Sequence, residues 1–233
     1  LEQPDRGTLA TFNTTGWISS YTGEPIAAEE MLEQVDQTVE RVLSTAASAV
    51  TAGATGAVGS ADVLEIGCGT GLLLFRLLGA TRRYLATDFS RTALDYVERQ
   101  LDPDAARSVT LLQRAADDFS GLADQRFDLV ILNSVVQYFP SGRYLREVLD
   151  RAVAVLKPGG AIFLGDIRNL ALLNAFHAAV ELHRAPNTTS TAELRSRVRQ
   201  QAAAERELLV APQFLRAYAA AQPAIAGVAI TPK

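Results

Sequence analysis

Val63-Leu64-Glu65-Ile66-Gly67-Cys68-Gly69-Thr70-Gly71 reads as an apolar strand that delivers a glycine loop to a helix beginning near Leu72. Glycine adopts positive φ without penalty and lets the main chain approach a ligand, while the free amides of the helix's first turn face the same crevice. The arrangement predicts a nucleotide-like ligand. Twenty-one residues past Gly67 a second apolar run ends at Asp88, followed by Phe89, and a carboxylate there accepts both hydroxyls of a ribose.

The third glycine chooses between cofactors. A dinucleotide fingerprint reads G-x-G-x-x-G, with a helix N-terminus on the pyrophosphate; here the spacing is G-x-G-x-G and Leu72 stands at the dinucleotide glycine. Glu65 would repel a pyrophosphate and attract an ammonium. S-adenosylmethionine has an ammonium and no phosphate.

Outward from this motif, short apolar runs alternate with helical patterns, which predicts an α/β fold with a mostly parallel sheet and helices on both faces. The expected strands are Asp62–Ile66, Tyr84–Asp88, Val109–Gln113, Phe127–Asn133, Ala161–Asp166 and a last one at about Ile225–Ile230. Expected helices lie near Leu72–Leu78, Thr92–Leu101, Arg143–Leu156, Leu170–Arg184 and Thr191–Leu209. Ser141 is a candidate cap, Ser190-Thr191-Ala192-Glu193 a capping box, and Lys157-Pro158-Gly159-Gly160 a stop and turn. Upstream, Met31, Leu32, Val35, Val39, Val42, Leu43 and Ala46 mark an amphipathic helix, preceded by an irregular lead-in carrying Trp17 and Tyr21. The Gly-rich stretch Thr51 to Ser60 reads as a loop.

Length and composition narrow the class. At about 150 residues per domain, 233 residues give about 1.5 domains. We divide them into a lid and helix over 1–60 and a core over 61–233, with lid helices at about 170–221, in one structural domain. A hydrophobic fraction of 48% with 21% charged residues is that of a globular protein, and no apolar run is long enough to span a bilayer. Net charge −4 argues against nucleic acid or anionic lipid as partner. One cysteine and two histidines are too few for a zinc cage or an internal disulfide, and a reducing cytoplasm is expected. The start at Leu1, without Met, reads as a domain cut from a longer chain.

The loop Glu65 to Gly71 resembles that of class I S-adenosylmethionine-dependent methyltransferases, a Rossmann-like fold. Four further stretches resemble methyltransferase domains embedded in modular polyketide synthases and nonribosomal peptide synthetases: Gly16 to Ile26, Leu111 to Phe119, Leu132 to Pro140 and Ala175 to Pro186. The resemblance implies that Glu65, Gly67, Cys68, Gly69 and Gly71 line the methionine part of the cofactor, with Asp88 and Phe89 at the ribose. It places Asp117, Asp118 and Phe119 at the adenine and Asn133 and Ser134 near the methyl, and makes Trp17 and Tyr21 parts of a lid. S-adenosylhomocysteine is the implied product. The implied partners are a carrier protein bearing a phosphopantetheine thioester and the neighbouring synthase domains. The resemblance implies that such domains continue into a last antiparallel strand, for which no run is expected before Thr231-Pro232-Lys233.

The methyl acceptor decides what else is needed. An amine carries a lone pair, whereas a hydroxyl must lose its proton as attack proceeds. His177 and Glu181 are four residues apart on one helix and can hydrogen-bond, a catalytic dyad in which the carboxylate orients the imidazole as base. Embedded polyketide O-methyltransferases resemble this His/Glu arrangement, so O-methylation of a carrier-tethered intermediate is expected, with N-methylation of an aminoacyl group as the alternative. Gln137, as donor to a substrate carbonyl, and Tyr138 are candidate substrate-binding residues, and His183 is unassigned. A noncatalytic docking module and a nicotinamide-dependent oxidoreductase are rival classes; Leu72 and Glu65 disfavour the latter.

Overall fold

The five internal runs expected as strands all form, the third and fourth with the expected ends and the others with shifted ones: β1 (Ala61–Ile66), β2 (Thr81–Asp88), β3 (Val109–Gln113), β4 (Phe127–Asn133) and β5 (Leu156–Gly165). The computed structural model describes residues 10–51 and 61–232, and among these the strands make one sheet in the order β3-β2-β1-β4-β5. Every adjacent pair is parallel, so each connection crosses a face of the sheet. β1 is buried along its whole length and β4 from Phe127 to Leu132, as strands covered on both faces are.

Side-chain alternation divides the core in two. Val63, Leu129 and Ile131 point to one face and pack with Val35 and Val42 of helix α1 (Ala28–Thr51), Leu74 and Leu77 of α2 (Leu74–Leu77), and Leu94 and Val97 of α3 (Arg91–Gln100). Leu64, Ile66, Val130 and Leu132 point to the other face, against Leu145, Val148 and Leu149 of α4 (Gly142–Ala154). Ser141 caps α4 by accepting the Tyr144 amide, and Ser190 caps α6 (Thr191–Ala204) by accepting that of Glu193. The remaining helices are α5 (Leu173–Arg184) and α7 (Pro212–Ala221).

Several expected boundaries are corrected. Lys157 to Gly160 is a bulge within β5, not a turn before it: Phe127 pairs with Leu156 and Leu129 with Ala161. Lys157 stays in the strand because Nζ donates to Asp128 Oδ2 at 2.7 Å and Asp62 Oδ2 at 2.9 Å, tying together the amino ends of β1, β4 and β5. Helix α6 stops at Ala204, short of Leu209, and residues 205–210 run as an irregular segment. The expected strand Ile225–Ile230 is coil, with Val228 and Ile230 exposed; its alternation finds no strand to pair with. Of the expected loop Thr51 to Ser60, Thr51 ends α1 and residues 52–60 lie outside the described residues. No described helix is long and apolar enough to cross a membrane.

Candidate active site

In an open parallel sheet, ligands sit outside the carboxyl ends of the strands where the order reverses, here between β1 and β4. The glycine loop leaves β1 at this point. Gly67 and Gly71 have φ of +77° and +84°, and a Cβ on them would lie 2.6 Å from Val135 and 2.8 Å from Phe75, so both conformation and space require glycine. Asp88 holds the loop from the neighbouring strand: Oδ2 accepts from the Gly69 amide and Oδ1 from the Ser90 amide, each at 2.8 Å. Cys68 is buried, and burial, with Glu65 and Asp88 nearby, pushes its thiol well above the ordinary range, which suits a packed loop residue and not a nucleophile.

Glu65 is 3% exposed, and its Oε2 accepts from the Tyr84 hydroxyl at 2.8 Å. Burial pushes its pKa up to about 7, against the Tyr84 hydrogen bond and with help from Asp88. No cation pairs with it among the described residues, so a ligand ammonium would meet an uncompensated carboxylate.

Beyond β3, Asp117 Oδ1 accepts from the Tyr144 hydroxyl at 2.7 Å, and Arg151 binds the Asp117 main-chain oxygen. Asp118 is exposed; the Ser120 hydroxyl and amide both donate to its Oδ1 and hold its carboxyl below the usual range. Phe119 packs against the core, and Ile66, Thr87, Ala116, Asp118 and Phe119 edge a narrow hollow. Phe89, which follows Asp88, is 79% exposed. Ser134 follows β4, with its Oγ on Asp166 Oδ2 at 2.9 Å, and Asn133 Nδ2 donates to that Oγ at 3.1 Å.

The expected His177–Glu181 hydrogen bond is not formed. Glu181 is buried, with 7% exposure, and no hydrogen bond or ion pair joins it to His177 among the described residues. Instead, the segment after α6 crosses the site and brings Glu205 Oε2 to 3.5 Å from His177 Nε2. That segment is pinned at both ends. The Leu208 amide donates to the Gln137 main-chain oxygen at 2.8 Å and the Val210 amide to the Arg168 oxygen at 2.9 Å. Arg168 pairs with Glu205 and Glu207, both at 2.7 Å. Burial opposes ionisation of Glu205, but the Glu207 amide and Arg168 outweigh it and hold the carboxyl below its usual range.

Gln137, expected to donate to a substrate, directs Nε2 to the Ser134 oxygen at 3.0 Å, and Tyr138 is 73% exposed. The lead-in folds as a small loop closed by an Ile18–Pro25 bridge; Trp17 is half-buried, and Arg184 at the end of α5 donates to the main-chain oxygens of Ser20 and Tyr21. His183 meets the Tyr21 ring edge-on at 5.6 Å. Sequence reasoning missed Tyr84, Asp166, Arg168, Glu205 and Glu207. Only Asp166, at the end of the expected strand Ala161–Asp166, carried a local signal.

A methyltransferase domain family matches residues 64–162, from the middle of β1 into β5. Over these residues the chain carries a methyltransferase domain. It is 52% identical over 225 residues to chondramide synthase cmdD of Chondromyces crocatus, covering 96% of this chain and 5% of that protein. It is 36% identical over 222 residues to the beauvericin nonribosomal cyclodepsipeptide synthetase of Beauveria bassiana, covering 94% and 6%. The domain thus spans about a twentieth of the length of these two relatives. The CcbJ methyltransferase from Streptomyces caelestis superposes with a TM-score of 0.51 at 18% identity, over 69% of this chain and 55% of that one, and shares the fold.

The cofactor of this methyltransferase domain is S-adenosylmethionine, which supplies a methyl on a sulfonium and leaves as S-adenosylhomocysteine. The residues present fit it. A buried carboxylate without a cation, a loop open to close main-chain approach and a strand-end aspartate stand side by side on β1 and β2.

Proposed function

We propose that the domain methylates the α-amino nitrogen of an aminoacyl group held as a thioester on the phosphopantetheine arm of a carrier protein, within a peptide-synthetase assembly line. The match over 94% of the chain to a nonribosomal cyclodepsipeptide synthetase carries this reading, because the amide bonds of such a product are made from aminoacyl units, each with an α-amine, beside the hydroxyacyl units that give its esters. In it, Glu65 takes the cofactor's ammonium, Asp88 the ribose, Asp117, Asp118 and Phe119 the adenine, and Trp17 and Tyr21 lie over the bound cofactor.

His177 beside Glu205 supports the chemistry. An α-amino group titrates near pH 8, so much of it is ammonium at neutral pH and must shed a proton before it attacks. His177 Nε2 is buried without a hydrogen-bond partner, 3.5 Å from Glu205, and an imidazole that accepts the proton gains a charge this carboxylate stabilises. Transfer from a sulfonium is an in-line displacement, in which alignment of nucleophile, methyl and sulfur lowers much of the barrier. The same pair favours a second reading, O-methylation, since a hydroxyl depends still more on a base.

Matched aminoacyl and hydroxyacyl carrier substrates, weighed by mass spectrometry after turnover, separate the two. Methyl on the aminoacyl chain is expected; methyl on the hydroxyacyl chain alone reverses the assignment. His177→Ala should cost about 10²–10⁴-fold in turnover with cofactor affinity kept, and full turnover would leave His177 a packed helix residue.

A further inference from the structure

The polar residues buried among those described are Asp62, Glu65, Thr87, Asp88, Asp128 and Glu181. All but the last are bonded within the protein. Asp62 and Asp128 hold Lys157, Glu65 accepts from Tyr84, Thr87 donates to the Glu65 main-chain oxygen, and Asp88 accepts from the Gly69 and Ser90 amides. The side chain of Glu181, in a residue 7% exposed, makes no hydrogen bond or ion pair among the described residues. A carboxylate buried in this way is costly to the fold, and a cation arriving with a ligand removes the cost.

The protein's own cations near Glu181 are committed elsewhere. Arg184, three residues on and within helical reach, donates to the main-chain oxygens of Ser20 and Tyr21. Arg168 is shared by Glu205 and Glu207, and His177, one turn back, faces Glu205. Two carboxylates thus flank the imidazole along the chain's path: Glu205 is saturated by Arg168 and two amides, and Glu181 is not.

Position says which cation it takes. Glu65 also lacks a cation, but it lies on β1 beside the glycine loop, and a single cofactor brings a single ammonium. Glu181 lies on α5, four residues and about 6 Å along the helix axis from His177. The segment that carries Glu205 to that imidazole is bonded to Gln137 and Arg168, which follow β4 and β5, away from the cofactor motifs on β1 and β2. A second ammonium is that of the methyl acceptor, since an α-amino group titrating near pH 8 is mostly protonated at neutral pH.

We infer that Glu181 is the carboxylate that takes the α-ammonium of the aminoacyl acceptor and holds it beside His177, an inference that rests on the N-methylation reading above. His177 takes one proton from the ammonium, and the nitrogen lone pair so freed forms the new N–C bond. The electron pair of the breaking C–S bond stays with sulfur. The nitrogen, positive again and carrying two hydrogens, remains paired with Glu181 and leaves as a secondary ammonium, so His177 receives a single proton in each turnover. A hydroxyl acceptor is uncharged before transfer and ends as an uncharged ether, and it gains far less from the same carboxylate.

Glu181→Gln keeps the size and removes the charge. The probes are an aminoacyl-pantetheine amide and its hydroxyacyl counterpart, titrated by calorimetry into protein saturated with S-adenosylhomocysteine. The aminoacyl probe should weaken about tenfold or more and the hydroxyacyl probe by less than about threefold, with S-adenosylhomocysteine affinity unchanged. The urea midpoint should not fall, because the variant removes a buried charge that has no partner. Equal weakening of both probes, an unweakened aminoacyl probe, or a lowered midpoint with both affinities kept overturns the inference. Should Glu181→Gln lose S-adenosylhomocysteine binding, Glu181→Met decides, with the same selective loss expected and unchanged selectivity against it. Wild-type protein that methylates hydroxyacyl and not aminoacyl substrate refutes the N-methylation reading; wild-type N-methylation beside an unaffected Glu181→Gln refutes only the role of Glu181.

Discussion

Glu65 titrates near pH 7 in the folded domain and near 4.5 when unfolded, so between those values the folded state holds an extra proton. Stability from this group is therefore full below pH 4.5 and falls as pH rises to about 7, by on the order of 3 kcal/mol. An ammonium bound beside it selects the ionised form. Cofactor binding between about pH 5.5 and 7 should release a proton and tighten as pH rises, seen by calorimetry in buffers of different ionisation enthalpy. Glu65→Gln should abolish the proton release and weaken binding about 10–100-fold. Release that persists in the variant would place the titrating group elsewhere. Tyr84, whose hydroxyl occupies Glu65 Oε2, fixes the carboxylate's direction without supplying a charge.

Among the elements, the pairing of β4 with β5 shapes the surroundings of Ser134. Gly165 lies opposite Asn133, and a Cβ there would stand 2.0 Å from Asn133 Oδ1 and 2.7 Å from the Phe163 ring. Gly165→Ala should cost about 1–3 kcal/mol through this crowding, read as a lower urea midpoint, and should also slow methyl transfer because Asn133 leaves Ser134. Retained turnover with lowered stability would show the Asn133–Ser134 contact to be structural only. Legibility differs between the two halves of the rim at this scale. Gly67, Gly69, Gly71 and Asp88 lie in one strand-loop-helix-strand unit, so spacing alone placed them. His177 and Glu205 are twenty-eight residues apart and meet only because residues 205–210 dock on Gln137 and Arg168, in the segments that follow β4 and β5, which no local pattern signals. Helical spacing pointed to Glu181 for the same reason, since it counts only neighbours along one helix. Ile225–Ile230 alternates like a strand, but alternation does not supply a partner.

Across the whole molecule the two ends of the sheet have different tasks. The carboxyl ends carry the chemistry, and the amino ends are closed by Lys157 between Asp62 and Asp128, whose carboxylates are 4% and 3% exposed. Burial alone would lower the Lys157 pKa, yet the bonds to Asp128 and Asp62 outweigh it and raise the value. Lys157→Met should leave two buried carboxylates without their shared cation and destabilise the domain by about 3–5 kcal/mol in urea unfolding. A loss of only a few tenths would mean that Arg82 and Arg83, which also pair with Asp62, suffice.

Arg184 grips the N-terminal loop by the carbonyl oxygens of Ser20 and Tyr21, not by their side chains. Such a grip is indifferent to residue identity. Ser20 can therefore be exchanged while the loop keeps its path over α5, whereas Ser19 and Thr22 hold that path through their hydroxyls and Tyr21 through its ring against His183.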